Sequence, residues 1–155
     1  LYVENDLRLD KYFAETDEKG FRKNKKAGSN NYLCTFRVGE IYLTAAEAAA
    51  RLGELSQART RLLELMRKRY APEAYEAKSV VVNAMDKEAL VQEILDERAR
   101  ELAFEGHRWF DLRRSTRPRL EKVLDGTRYV LEENDARYTL AIPKEAIEAN
   151  PGLLN

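Results

Sequence analysis

Three things are scarce in this sequence, and each shortage excludes a class of protein. Cys34 is the only cysteine in 155 residues, so no internal disulfide can form. His107 is the only histidine, which leaves little material for a metal site or a nucleophilic triad. Lys plus Arg and Asp plus Glu both number 27, so the formal net charge is zero. Nucleic-acid binding is disfavoured, because neutralising phosphates requires a clustered positive excess.

Long apolar runs are also missing. No stretch approaches the roughly 20 residues that span a bilayer, and the sequence shows no signal peptide. What remains is a chain long enough for one domain with a buried core. Its charged fraction of 35% is balanced between the two signs, which is typical of helices that carry ion pairs on their surfaces.

The most informative stretch runs from Asp96 to Ser115 and reads DERARELAFEGHRWFDLRRS. Up to Arg114 it holds five acidic and five basic residues, and every basic residue is arginine. A guanidinium binds a carboxylate through two donors and tolerates burial better than an ammonium group does. Apolar residues also recur at helical spacing here. We therefore predict a long helix from Lys87 to Glu105, capped by Asp86 and bent at Gly106, whose charged face packs against other protein.

A helical hairpin is predicted upstream of this stretch. Apolar residues fall at i, i+3, i+4 and i+7 from Arg37 to Leu52, which indicates an amphipathic helix with several alanines for close packing. Gly53 ends that helix, and Ser56 is expected to cap a second one. The inner face of the second helix is expected to contain Ala58, Leu62, Leu65 and Arg69. The pair, residues 37–72, resembles one tetratricopeptide hairpin, a unit that needs neighbours to bury its faces.

The segments around the hairpin are less regular. We expect residues 1–36 to be an irregular or extended lead-in, with a strand at Leu7–Phe13. The basic stretch Lys19–Asn31 is interpreted as a solvated turn region rather than an anion-binding loop. Residues 73–85 are expected to form a connection containing a short extended run of valines. Tyr32, Leu33, Thr35 and Phe36 are expected to form a short extended piece.

The C-terminal part is predicted to alternate between helix and strand. Arg119–Leu124 is expected to be a short helix ended by Gly126. Arg128–Leu131 and Tyr138–Ile142 alternate in polarity and are predicted to form a small β-hairpin. Pro143 is expected to start a final short helix. The predicted fold class is therefore mainly α: a tetratricopeptide-like helical hairpin plus a long helix, with a small C-terminal β-hairpin.

Three stretches in order resemble a known family. ERARELAFEGHRWFDLRR, at Glu97–Arg114, resembles a signature near the C-terminus of the SusD/RagB family of outer-membrane nutrient-binding lipoproteins. The stretch FRVGEIYLTAAEAAARLGELSQA, at Phe36–Ala58, and the ending IPKEAIEANPGLLN, from Ile142, fit the same family. Family members are several times longer. The resemblance therefore implies that residues 37–155 are a SusD-like C-terminal helical domain, preceded by a lead-in from an upstream region.

The resemblance also implies a function. The parent protein would be a surface-exposed lipoprotein of a Bacteroidota outer membrane, anchored by a lipid on an upstream cysteine; Cys34 is in the wrong context for that role. It would capture a glycan, or less often a peptide, and deliver it to a SusC-type TonB-dependent transporter. No cofactor, metal or nucleic-acid partner is expected. Family ligand sites are built largely upstream of these motifs, so no ligand-binding residue can be carried over to this chain.

The charged residues of the motifs are predicted to form structural ion pairs. The residues expected to take part are Arg37, Glu40, Glu47, Arg98, Glu101, Glu105, Arg108, Asp111 and Arg113. The competing interpretation is a carboxylate-bridged metal site built from Glu97, Glu101, Glu105, His107 and Asp111. Such a site needs Glu-x-x-His pairs from two helices, whereas the sequence has one histidine. The arginines interleaved with the carboxylates also provide them with counter-ions. The structural interpretation is favoured, and the resemblance agrees, because in the family this motif is a packing element.

The aromatic residues admit two interpretations. Trp109 and Phe110 could stack on sugars through exposed rings, but their neighbours favour a place in the core. Tyr42, Tyr129 and Tyr138 are likewise interpreted as packing residues. No serine or cysteine has a histidine partner at a spacing typical of a nucleophilic catalytic motif, so the chain is not expected to be an enzyme.

Two other functional classes stay open. A cytoplasmic tetratricopeptide-like adaptor would hold a peptide in its groove, but it should repeat the hairpin at a period of about 34 residues. Only one copy is found in the sequence. A carboxylate-bridged metalloenzyme is the weaker alternative, and elemental analysis of the pure protein for iron or manganese would detect it.

Overall fold

The computed structural model describes residues 1–26, 37–150 and 152. Within these residues the chain is mainly helical with two short antiparallel strand pairs, so the predicted fold class is confirmed. The chain divides into two compact units, Leu1–Arg108 and Trp109–Asn155. The predicted boundary between a lead-in and a helical domain at residue 37 stays a prediction.

The first unit holds five helices and a strand pair among its described residues. In chain order they are α1 (Arg8–Tyr12), β1 (Phe13–Thr16), β2 (Arg22–Asn24), α2 (Val38–Leu52), α3 (Leu55–Met66), α4 (Pro72–Ala84) and α5 (Lys87–Glu101). Strands β1 and β2 pair antiparallel. The core lies between α2, α3 and α5, and its fully buried members include Leu43, Leu62, Met66, Leu90 and Ile94.

The predicted α2–α3 hairpin is confirmed. Gly53 ends α2 with a φ of 86°, a left-handed conformation that glycine adopts without steric cost. Ala46 and Ala58 are fully buried, so small side chains do lie between the two helices. The prediction that Ser56 caps α3 is wrong, because that helix already begins at Leu55 and makes no side-chain cap hydrogen bond.

The long helix α5 is also confirmed, with a different end. The Asp86 carboxylate accepts a hydrogen bond from the Ala89 N–H at 2.9 Å, as expected for an N-cap. The helix ends at Glu101, four residues before the predicted end. Phe104 and Gly106 both have positive φ, at 68° and 81°. The chain therefore turns there before helix α6, His107–Arg114, begins.

Two local predictions in the first unit are wrong. Leu7–Phe13 is not a strand, because the Asp6 carboxylate accepts from the Arg8 N–H at 3.0 Å and turns the chain into α1. Residues 73–85 are not an extended connection but helix α4, which Pro72 starts from its first turn. The extended piece expected at residues 32–36 lies outside the described residues.

The second unit is built around a β-hairpin. Strand β3 (Leu120–Leu124) pairs antiparallel with strand β4 (Thr127–Leu131). The helix predicted at Arg119–Leu124 is therefore wrong. Asp125 and Gly126 have φ of 48° and 75°, the turn geometry that an Asp-Gly pair favours between strands.

A 3₁₀ turn and a short helix complete this unit. The strand predicted at Tyr138–Ile142 is wrong, because Tyr138 ends a 3₁₀ turn that starts at Ala136. Helix α7 (Lys144–Ala149) follows Pro143, as predicted. In the ranges described, none of the helices combines the length and the apolar character that crossing a membrane requires.

Candidate functional site

In addition to its apolar core, the first unit contains a buried ionic region. Glu97 and Glu101 lie one turn apart on α5, and both are 0% exposed. Arg8, from α1, is buried against them. Because an uncompensated buried charge is strongly unfavourable, the arrangement of their partners determines whether this part of the fold is stable.

Arg8 uses its guanidinium on both sides of the site. Its Nη1 lies 2.7 Å from Glu97 Oε1 and 3.2 Å from Glu101 Oε2. Its Nε and Nη2 donate to the two Asp6 oxygens at 2.9 and 2.8 Å. Burial alone would lower the pKa of Arg8, but the hydrogen bonds to Asp6 and the charge of Glu97 outweigh it and raise that pKa. Arg8 is therefore held as a cation between three carboxylates.

Glu101 is held in turn by a second arginine. Arg69 Nε and Nη2 donate to Glu101 Oε2 and Oε1, each at 2.8 Å, which is the two-pronged geometry of a strong arginine–carboxylate pair. Arg37 Nη2 lies 3.5 Å from Oε1. Burial would raise the pKa of Glu101, but the hydrogen bond from Arg69 and the surrounding positive charges hold that pKa below its usual value.

Glu97 is bound by a tyrosine and a neighbouring arginine. The Tyr70 hydroxyl donates to Glu97 Oε2 at 2.9 Å and accepts from Arg8 Nη2 at 2.9 Å. Arg100 Nε donates to the same Glu97 oxygen at 2.8 Å, and its Nη2 donates to Glu93 at 2.6 Å. Burial raises the pKa of Tyr70. The hydroxyl therefore keeps its proton and links α5 to the chain just after α3.

A third carboxylate, Glu105, extends the network past the end of α5. Lys26 Nζ lies 2.5 Å from Glu105 Oε1, and Arg37 pairs with the same oxygen. Lys26 also donates to the backbone carbonyls of Glu101 and Ala103 at 2.6 and 3.0 Å. It thus satisfies carbonyls that the helix end leaves open. Burial lowers the pKa of Lys26, with Glu105 acting in the opposite direction.

We name these residues the charge cluster. Its acidic members are Asp6, Glu93, Glu97, Glu101 and Glu105, and its basic members are Arg8, Lys26, Arg37, Arg69 and Arg100. Five negative charges meet five positive ones, so the cluster is neutral. The N-terminal segment, the residues that flank the α2–α3 hairpin and α5 all contribute, and the contacts already engage the charged groups. This arrangement can hold these parts of the chain together. It leaves few hydrogen-bond donors unused that could bind a ligand.

Several predicted pairing residues lie outside the cluster. Glu40 Oε1 lies 3.6 Å from Arg98 Nη2 and 3.6 Å from His107 Nδ1. Glu47, on α2, pairs with Arg51 at 2.9 Å. In the second unit, Asp111 pairs with Arg114 at 2.7 Å.

Two predicted pairing arginines are placed differently. Arg108 is exposed, and its Nη1 donates to the Leu95 carbonyl oxygen at 3.5 Å, with no carboxylate partner among the described residues. Arg113 has no carboxylate partner within the described part of the chain, and its backbone carbonyl accepts from Arg117 Nε at 2.9 Å. Of the nine predicted residues, three belong to the charge cluster: Arg37, Glu101 and Glu105.

Sequence reasoning missed Arg8, Arg69 and Tyr70 as partners of the α5 carboxylates, and Asp6 as a partner of Arg8. For Arg69 a signal was present, because its spacing from Leu62 and Leu65 placed it on the inner face of the predicted second helix, although α3 ends at Met66. An arginine on an apolar face predicts a buried acidic partner. Asp6 and Arg8 lie in a segment without clear periodicity, so no comparable signal was available for them.

The aromatic predictions had mixed outcomes. Trp109 stacks on Tyr138 with ring centroids 5.2 Å apart and an angle of 13° between the planes. Tyr138 is fully buried and donates its hydroxyl to the Pro118 carbonyl. The interpretation of Phe110 as a core residue is wrong, because that side chain is 62% exposed. Tyr129, also interpreted as a packing residue, is 57% exposed.

Within the described ranges, no group of three or more His, Cys, Asp or Glu side chains is arranged to hold a metal ion. The nearest candidates from the sequence are engaged elsewhere: Glu97 and Glu101 with arginines, and His107 with Glu40.

A helical hairpin whose ends are bound to a long helix by paired buried charges therefore characterises the first unit. The SusD family model, SusD_RagB, matches residues 4–155, and the chain belongs to this family. A search of curated proteins gave no significant match. SusD-family proteins are in general nutrient-binding proteins of the cell surface that associate with an outer-membrane transporter, and they are binding proteins rather than enzymes.

Proposed function

We propose that this chain is the scaffold part of a cell-surface lipoprotein that binds a glycan and delivers it to a SusC-type TonB-dependent transporter. The observation that carries the proposal is the SusD-family match over residues 4–155. The lipoprotein would belong to the outer membrane of a Bacteroidota species, with its lipid anchor and most of its ligand contacts upstream of this chain. Its role would be to bind, without catalysis.

The charge cluster supports the scaffold role. Glu97 and Glu101 are fully buried, and each is bound by arginines from other parts of the chain. A fully buried carboxylate that arginines already bind is not accessible to a sugar hydroxyl. We therefore propose a structural role for the paired motif residues Arg37, Glu40, Glu47, Arg98, Glu101, Glu105 and Asp111.

A binding comparison tests the proposal. The 155-residue chain and the product of the complete gene are screened side by side by affinity gel electrophoresis against neutral and acidic polysaccharides. We expect the complete product to bind at least one glycan and to co-purify with a TonB-dependent transporter from outer membranes. Failure of the complete product to bind any glycan, together with capture of peptides instead, would favour the adaptor function over the glycan-binding one.

A further inference from the structure

One face of the β3–β4 hairpin collects apolar side chains around a lysine. The antiparallel register places Lys122 opposite Tyr129, and Leu120 opposite Leu131. Residues directly opposite each other, and residues two apart along a strand, lie on the same face of a sheet. Leu124 therefore shares this face as well. Tyr129 is thus flanked by leucines and faces an ammonium group across the strands.

This face is open in the structure. Tyr129, Leu120 and Leu124 are all exposed, although each is a large apolar residue. Beside them lies a cleft of about 430 Å³, within the range of roughly 300–1,000 Å³ that is usual for small-molecule sites. Its apolar lining includes Leu120, Tyr129 and Leu131, and its polar lining is Glu121, Lys122 and Arg137.

Two of the three charged groups in the cleft are already paired. Glu121 Oε2 lies 3.0 Å from Arg119 Nη1 and 2.6 Å from Arg128 Nη2. Arg137 is held by Asp135 at 2.6 Å. Lys122 makes no ion pair with any residue that the structure describes. The cleft therefore combines a half-exposed aromatic ring with one positive charge that has no partner in it.

We propose that this cleft binds an acidic saccharide, with a pyranose ring against Tyr129 and its carboxylate or sulfate at Lys122. An aromatic side chain offers an apolar face to the C–H groups of a sugar while its hydroxyl stays available for hydrogen bonding. The ammonium of Lys122 supplies the complementary charge. The choice of a saccharide rests on the proposed function. The inference goes beyond that function by giving this chain a ligand contact of its own.

The test is a titration of the 155-residue chain, followed by amide NMR shifts and by calorimetry. The probes are an oligogalacturonate, which carries carboxylates, a chondroitin sulfate oligosaccharide, which carries sulfate as well, and a neutral galactan oligosaccharide of equal length. We expect at least one acidic probe to bind more tightly than the neutral one. The shifts should be concentrated at residues 120–131 and at Arg137.

Two variants test the contribution of the Tyr129 ring and that of the Lys122 charge separately. Tyr129→Val keeps a strand-forming residue and should weaken binding of the acidic probe about tenfold or more. Lys122→Gln should weaken the acidic probe severalfold and leave the neutral probe unchanged. Matched controls are Val123→Thr, on the opposite hairpin face, and Lys144→Gln, an exposed lysine in α7; neither should change binding. Amide shifts of the strands check that the hairpin is intact in each variant.

Three results would overturn the inference: no acidic probe binds, the shifts lie away from the hairpin, or Tyr129→Val binds normally with the hairpin intact. In the complete gene product, glycan binding unaffected by Tyr129→Val would leave the proposed function standing and remove this site. A lower melting temperature for that variant, with unchanged binding, would identify the face as a packing surface instead. If the unaltered complete product binds no glycan at all, that result would count against the proposed function itself.

Discussion

Gly39 on α2 lies directly against the buried carboxylate of Glu101 on α5. A Cβ built at residue 39 would lie 2.6 Å from Glu101 Oε1 and 3.1 Å from its Cγ and Cδ. The carboxylate is not free to move aside, because Arg69 binds both of its oxygens and Arg8 contacts one of them. Glycine at this position therefore allows the close approach of α2 to the charge cluster.

Gly39→Ala is expected to destabilise the protein despite improving helix propensity. In an exposed helix interior the change would gain about 1 kcal/mol. Here the added methyl group must displace Glu101 or separate the helices, and overpacking of this kind costs about 1–3 kcal/mol. Urea unfolding followed by circular dichroism measures the net effect.

The same change in a Glu101→Ala background serves as the control. Removing the carboxylate opens the space that the methyl group needs, so Gly39→Ala should then be neutral or stabilising. An equal cost in both backgrounds would show that the glycine matters for another reason, and the proposed contact with Glu101 would be wrong.

Arg8→Ala is expected to be among the most damaging single substitutions. It leaves Asp6, Glu97 and Glu101 with one cation fewer in a fully buried site. Removing one partner of a buried pair costs about 3–5 kcal/mol. Arg22→Ala is the matched control, since Arg22 lies 3.9 Å from an exposed Asp10 and such surface pairs contribute about 0–1 kcal/mol. Similar unfolding free energies for the two variants would contradict a structural role for the cluster.

The depressed pKa of Glu101 predicts a loss of stability in acid. Its pKa in the folded chain lies below the ordinary value of 4.5, so the unfolded chain binds the proton more readily. The stabilising contribution is therefore complete above the unfolded pKa and is lost as pH falls through the folded pKa. The difference in unfolding free energy between wild type and Glu101→Gln should shrink from about pH 6 to about pH 3. A difference that stays constant over this range would exclude Glu101 as the titrating group.

The sequence predicted the helices well where their apolar pattern is local. Helices α2, α3 and α5 repeat buried residues every three or four positions, and each is bounded by a readable signal such as Gly53 or Asp86. The hairpin turn was readable too, because Asp125-Gly126 is a strong turn pair. The helix prediction for Arg119–Leu124 was wrong because it treated Gly126 as a helix end and not as part of a turn between two strands.

The charge cluster was only partly predictable. The glutamates of α5 and the use of arginine for every basic residue from Asp96 to Arg114 indicated buried ion pairs, but Arg8 contacts Glu101 across 93 positions of sequence. Charge has no periodicity that reveals such a distant partner. The exposure of individual apolar residues could not be predicted either. Val38 and Ile41 fit the apolar pattern of α2, yet both point away from the core and are exposed.

Tyr70→Phe isolates the contribution of one hydroxyl to the cluster. The Tyr70 ring is buried, and its hydroxyl connects Arg8 to Glu97 by two hydrogen bonds of 2.9 Å. Removing it leaves a buried donor and a buried carboxylate each short of a partner, which costs about 1–3 kcal/mol.

Tyr75→Phe is the matched control for that loss, because Tyr75 packs half-buried against the same core without a hydrogen bond from its hydroxyl among the described residues. It should change the unfolding free energy by less than about 0.5 kcal/mol. The comparison tests the Tyr70 hydroxyl, which hydrogen-bonds to two members of the charge cluster. If both unfold at the same urea concentration, the hydroxyl of Tyr70 is dispensable, and the contacts with Arg8 and Arg100 suffice to hold Glu97 in the core.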